Sequence, residues 1–148
     1  LVGRKTARDG GKNAKDIAAQ IAKTEEQLRA SGTAAAQAMA LRLLAAREAF
    51  LDVVDFVAGK AKASPNAVYA GSVPYLMLTG NLVAGWQMGR ALLVAQDKLA
   101  QGEDVAFMQA KVATAQFYAE HILTRTTSLR DSILAGGDSA CALALDAF

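Results

Sequence analysis

Along most of the chain apolar residues recur three and four positions apart, with Ala, Gln, Glu, Lys and Arg filling the intervals, which is the spacing of helices that bury one face. Gly10 and Gly11, Gly32, the Ser64-Pro65 step, Gly102, and Gly136-Gly137 punctuate this pattern, and strong helix formers lie between them. The pattern predicts helices at about 13–30, 34–62, 65–100 and 104–135, with a short one at about 139–146. No run alternates Val, Ile and Thr in the manner of a strand. The expected fold is therefore all-α, an antiparallel bundle of about four long helices plus a short C-terminal helix. Thr33 and Asp104 are the expected N-caps, and Pro65 suits a first helical position, where its missing N–H costs nothing. Pro74, inside the third predicted helix, predicts a kink or break near Gly71 and Ser72.

The second helix shows its face most clearly. Leu43, Phe50, Val54 and Val57 share a broad arc with Leu44, Leu51 and Ala58, and Glu48, Asp52 and Asp55 fall opposite. That acidic stripe reads as a solvated surface. A di-iron bundle needs paired Glu-x-x-His motifs, whereas the chain has a single His, preceded at that spacing by Tyr118. The third helix is different, because Ala63 to Gly89 carries no charge. Its length would cross a bilayer. Ser64, Asn66, Ser72, Asn81, Gln87, the glycines and Pro74 lower its hydropathy, and a central helix packed on several sides is expected instead of membrane insertion. Trp86 is expected to anchor the core of that helix. Gly85 and Gly89 are expected to let a neighbouring helix approach closely.

Composition narrows the partners. The 148 residues carry a formal net charge of +2 with interspersed signs, so no basic stripe invites nucleic acid. The single Cys, Cys141, makes no internal disulfide, and no signal peptide is visible, which fits a cytoplasmic location. The chain opens on Leu-Val without an initiating Met and is expected to be a fragment of a longer polypeptide.

Candidate chemistry is sparse. Arg47 lies among Leu43, Phe50 and Leu51; Arg90 follows Trp86 by four residues, with Asp97 further along that face; His121 lies with Phe117, Ala110 and Thr114. These groups fit either a recognition cluster for a ligand phosphate or carboxylate, or a structural network of paired charges, or Arg stems lying along the surface with their heads in water. The structural reading is preferred, because no glycine-rich anion loop accompanies them. His121 is expected to be a satisfied core or interface residue, since no motif sets a nucleophile or second acid beside it. No GxGxxG after a strand, Walker loop, GxSxG or zinc spacing is present. Cys141, followed by Ala142, Leu143 and Leu145, reads as a packed small residue. The site-residue expectation is accordingly none: no catalytic, cofactor-binding or metal-binding position. The residues alone support a helical structural or interaction module.

Particular strings go further. Phe107–Arg125 reads FMQAKVATAQFYAEHILTR, Leu1–Lys5 reads LVGRK, and Arg8–Gly11 supplies an Arg-Asp-Gly-Gly spacer. Together with Pro74–Arg90 these resemble bacterial acyl-CoA dehydrogenases that carry an extra C-terminal helical domain, the 3-methylmercaptopropionyl-CoA dehydrogenase type among them. The strings identify a domain and are not a chemical signature. Pro74 departs from the more usual residue before Tyr75 and Leu76 in that family.

The resemblance implies a parent enzyme of fatty acid oxidation. Such enzymes take the α-hydrogen of an acyl-CoA as a proton and the β-hydrogen as a hydride to FAD, give a trans-2-enoyl-CoA, and pass electrons to electron-transferring flavoprotein. In the family the base is the Glu of a Tyr-Glu-Gly-Thr turn, which would lie before Leu1. The implied organisation is residues 1–12 as the tail of the preceding dehydrogenase helix with a linker, and residues 13–148 as the added bundle. No FAD site is implied within the chain. Its implied partners are the parent's N-terminal domains and a second copy, with dimers expected. The alternative is a free-standing helical-bundle interaction module with no enzymatic activity.

Overall fold

The computed structural model describes residues 1–147; Phe148, counted in the expected span 13–148, lies outside them. A π-helical turn at Val2–Ala7 leads into α1 (Lys12–Ala30), α2 (Ala34–Lys60), α3 (Pro65–Ala70), α4 (Ser72–Ala100) and α5 (Val105–Tyr118). A second π-helical turn (Ala119–Leu123), α6 (Arg125–Ala135), α7 (Gly137–Ala140) and a 3-10 turn (Leu145–Ala147) complete the order. Among the described residues there is no strand, so the fold is all-α as the spacing predicts.

α1 and α2 form an antiparallel hairpin whose ends are set by local hydrogen bonds. Gly11, in the left-handed region at φ 83°, precedes α1, and a Cβ there would meet Val54 Cγ1 at 2.5 Å, so both conformation and space require glycine. Asp9 caps this helix: its carboxylate accepts from the Gly11 and Asn13 N–H groups at 3.0 Å each. Those backbone donors, Asn13 foremost, hold the Asp9 carboxyl below its ordinary pKa. Thr33 caps α2 as expected, its Oγ1 accepting from Ala36 N–H at 3.2 Å. Asp104 corrects the other cap: it stands before α5 at φ 44° and makes no side-chain cap bond.

α2 lies at the centre, packed by α1, α4 and α6. Leu43, Phe50, Val54 and Val57 are buried, Leu44, Leu51 and Ala58 are half-buried, and Glu48, Asp52 and Asp55 are exposed, as the pattern predicts. Each fully buried Leu, Val or Ile on this seam contributes roughly 1.5 to 3 kcal/mol relative to exposure. The long third helix is broken at Gly71, which puts Pro74 in the first turn of α4, where its lost donor has no intrahelical partner to forfeit. α4 then packs Tyr75, Leu78, Leu82 and Leu92 inward. Gly85 and Gly89 do admit close neighbours: a Cβ on Gly85 would lie 2.6 Å from Leu123 Cδ2, and one on Gly89 3.1 Å from Leu28 Cδ1. No described helix is long and apolar enough to cross a membrane.

The expected helix at 104–135 is a rod interrupted by the widened turn at Ala119–Leu123. Side chains satisfy the carbonyls along it: Thr124 Oγ1 donates to Glu120 O at 3.1 Å, Arg125 Nε to His121 O at 2.9 Å, and Thr126 Oγ1 to Leu123 O at 2.6 Å. Ala119 and Leu123 are thereby turned into the core. The expected 139–146 helix is corrected to the single turn α7 and the 3-10 turn. Gly137, the first residue of α7, packs closely on α3, where a Cβ would sit 2.7 Å from Ala67 Cβ.

Candidate functional site

The buried ionic centre lies between α1 and α2. Arg47 Nε and Nη2 donate to Glu25 Oε1 and Oε2 at 2.7 and 3.0 Å, a two-pronged pair. The Glu25 side chain is 1% exposed, that of Arg47 18%, and Arg29 Nη2 stands 3.8 Å from Glu25 Oε2 at the rim. The hydrogen bond to Glu25 holds the Arg47 guanidinium above its ordinary pKa, against the desolvation that opposes it. Glu25 escaped the sequence reading, although it occupies a core position of the α1 stripe, between Ile21 and Leu28 at helical spacing. Its burial is tolerable because both oxygens are paired.

One residue before Glu25, the buried Thr24 hydroxyl accepts from Trp86 Nε1–H at 2.8 Å and so ties α4 to α1. Trp86 is half-buried against the core, which corrects its expected place at the centre. An indole so placed keeps its ring in the packing and its N–H on a partner. Arg90 is exposed; its guanidinium lies 5.8 Å from the Trp86 ring centroid and donates to Gln87 Oε1 at 3.0 Å. Asp97 is also exposed, and no ion pair joins it to Arg90 among the described residues. Of the two places expected for His121, core or interface, the core is corrected: the residue is at the surface, where it stacks on the exposed Phe117 at 4.5 Å between centroids. Cys141 is likewise exposed. The structure thus distributes Arg47, Arg90, Asp97 and His121 over separate places. The acidic residues of α2 are a solvated face as expected, Asp55 meeting Lys15 at 2.7 Å and Asp52 meeting Arg130 at 3.3 Å.

A cleft of about 580 Å³ runs between α4 and α5 over Val94, Phe107 and Met108, with Gln27, Gln87, Arg90 and Lys111 at its edge. All four of those polar residues are exposed, and Lys111 lies 5.0 Å from the Phe107 ring centroid. A cofactor pocket buries most of its ligand and sets polar groups inside. This cleft has no buried donor for the edge of a flavin ring, so its lining does not fit FAD. Among the described residues no group of three or more His, Cys, Asp or Glu is arranged to hold a metal ion.

Among the described residues the chain is an all-α bundle with a buried ion pair between α1 and α2. The chain belongs to the acetyl-CoA dehydrogenase C-terminal like family, whose model matches residues 14–144. It is 48% identical over 139 residues to the 3-methylmercaptopropionyl-CoA dehydrogenase of Ruegeria pomeroyi, a match covering 94% of this chain and 24% of that protein. It is 41% identical over 66 residues to the broad-specificity linear acyl-CoA dehydrogenase FadE5 of Mycobacterium tuberculosis, covering 43% of this chain and 11% of that protein. The chain thus spans a quarter or less of the length of these relatives, and the resemblance carried by LVGRK and FMQAKVATAQFYAEHILTR is borne out.

Proposed function

We propose that this chain is the C-terminal structural and interface domain of an FAD-dependent acyl-CoA dehydrogenase, a longer polypeptide that converts an acyl-CoA to a trans-2-enoyl-CoA in fatty acid oxidation. The observation that carries the reading is the match to an acyl-CoA dehydrogenase over 94% of this chain but only 24% of the relative. In this reading the base and the flavin site belong to sequence before Leu1, and no catalytic, cofactor-binding or metal-binding residue lies in residues 1–148. Residues 1–12 are the tail of the preceding helix with its linker, and residues 13–148 form the added bundle. The domain braces the flavin-holding part of the enzyme or its subunit interface, and the enzyme is a cytoplasmic homo-oligomer that passes electrons to electron-transferring flavoprotein. The chain's own contribution is rigidity: the Glu25–Arg47 pair joins α1 to α2, and the Thr24–Trp86 bond joins α1 to α4.

The test is acyl-CoA-driven dye reduction by the intact polypeptide encoded by the gene, assayed with a series of acyl-CoA thioesters. Turnover with at least one thioester, with a matching enoyl-CoA product, is expected. An intact polypeptide that reduces no dye with any thioester contradicts the proposal and favours a free-standing interaction module.

A further inference from the structure

Apolar side chains remain uncovered where the chain begins. Tyr69, Val73, Leu76 and Met77 are 55%, 68%, 61% and 54% exposed, and Leu1 is 45% exposed. Leu1, Tyr69, Val73 and Leu76 line one cleft of about 460 Å³, with Met77 one turn beyond Val73 on α4. Concentrations of exposed apolar groups of this kind mark interaction surfaces.

The start of the chain is fixed on this face. Val2 and Thr6 are buried, and Thr6 Oγ1 shares a hydrogen bond with Tyr75 Oη at 2.9 Å, which fastens the Val2–Ala7 turn to the beginning of α4. Polypeptide continuing upstream of Leu1 therefore emerges beside the uncovered groups. The matched region is 24% of the Ruegeria protein, and the family is described as C-terminal, so in this reading most of such a relative lies upstream of it. Charge gives the partner's chemistry. Arg4 lines the cleft, and no carboxylate pairs with it among the described residues. The face itself, from Ala63 to Gly89, has no acidic residue.

We propose that this face, Leu1 with Tyr69, Val73, Leu76 and Met77, docks the polypeptide that precedes Leu1, through an apolar surface edged by carboxylates that meet Arg4. The proposal rests on the reading of the chain as part of a longer dehydrogenase and names the surface by which it is held.

Hydroxyl-radical footprinting of the intact polypeptide, with dilute chain 1–148 as reference, tests it. Oxidation of Met77 and Tyr69 is expected to slow by at least about fivefold in the intact polypeptide, because side-chain oxidation follows exposure. The protection is expected to persist on dilution, as docking within one chain is independent of concentration. Arg4→Glu in the intact polypeptide is expected to restore part of the Tyr69 oxidation. Equal rates at Met77 in the two proteins overturn the proposal. Protection that appears only at Phe107 and Phe117 assigns docking to α5 and overturns it too, and protection lost on dilution assigns the face to a second copy, with the same consequence. Flavin content of the same preparation separates the two levels: a yellow, active enzyme with Met77 fully reactive sinks this docking face alone. A colourless, inactive polypeptide with Met77 protected sinks the dehydrogenase reading while supporting the face.

Discussion

At the residue scale, a few polar groups meet inside the bundle, and stripping one of its partner is costly. The Glu25–Arg47 pair is the clearest case, since removing one partner leaves a buried charge. Arg47→Met is expected to cost about 3 to 5 kcal/mol, whereas the double change Glu25→Leu with Arg47→Met is expected to fall near the parent, because well-packed apolar replacements often equal a buried pair. Urea denaturation of the parent, the two single variants and the double variant checks this; a double variant as weak as Arg47→Met would contradict it. Trp86→Phe keeps most of the ring packing but leaves the buried Thr24 hydroxyl without its donor, at an expected cost of about 1 kcal/mol, and Trp86→Ala at about 3 kcal/mol. The same denaturation series decides it, and an Ala variant unfolding with the parent would place the indole outside the packing. Burial pushes the Tyr75 phenol above its ordinary pKa of 10.0, with the Thr6 hydrogen bond opposing. The unfolded chain therefore loses this proton first. Stability from Tyr75 is fully present below about pH 10 and declines as pH rises through the folded value. Melting temperatures measured across that range should fall in the parent and fall less in Tyr75→Phe; equal declines would contradict the assignment.

At the scale of elements, sequence pattern reads well where a helix has one face and poorly where order depends on a distant partner. The α2 arc was legible because Leu43, Phe50, Val54 and Val57 repeat at helical spacing opposite three acids. The break before α4 was legible because Pro74 cannot sit beyond a first turn without cost. Glu25 was not, because its partner is 22 residues away on another helix and an isolated Glu on α1 looks like any surface acid. The widened turn at Ala119–Leu123 carries no compositional mark, and it sets Leu123 over Gly85, a contact between residues far apart in sequence. Gly85→Val is accordingly expected to force these helices apart and cost about 1 to 3 kcal/mol. Thermal unfolding of Gly85→Val beside Gly80→Val tests the site dependence, since a Cβ on Gly80 meets nothing within 4 Å. Equal losses at the two positions would show helix propensity at work and no close packing at Gly85. For Cys141, apolar neighbours in sequence suggested packing, but it lies exposed after α7, and His121, expected in the core or at an interface, faces outward from the rod.

At the scale of the whole molecule, membership of the family was legible in strings that have no chemistry of their own, and the structure supplies the reason for their quiet character. Phe107–Arg125 spans α5 and the widened turn, and Pro74–Arg90 forms the glycine-bearing part of α4 that receives it. These are packing sequences: Gly85 faces Leu123, and Tyr118 Oη donates to Asn81 O at 3.2 Å. Candidate chemistry was least legible because it was read from residue types, and the fold separates Arg90, Asp97 and His121 while closing Arg47 on Glu25. The central claim, that this bundle supports a flavoenzyme whose cofactor is held elsewhere in the polypeptide, is most directly tested by flavin absorbance. Chain 1–148 and the intact polypeptide are each saturated with FAD and passed through gel filtration. The account predicts a colourless chain 1–148 and an intact polypeptide retaining about one flavin per chain; stoichiometric flavin on chain 1–148, or none on the intact polypeptide, would contradict it.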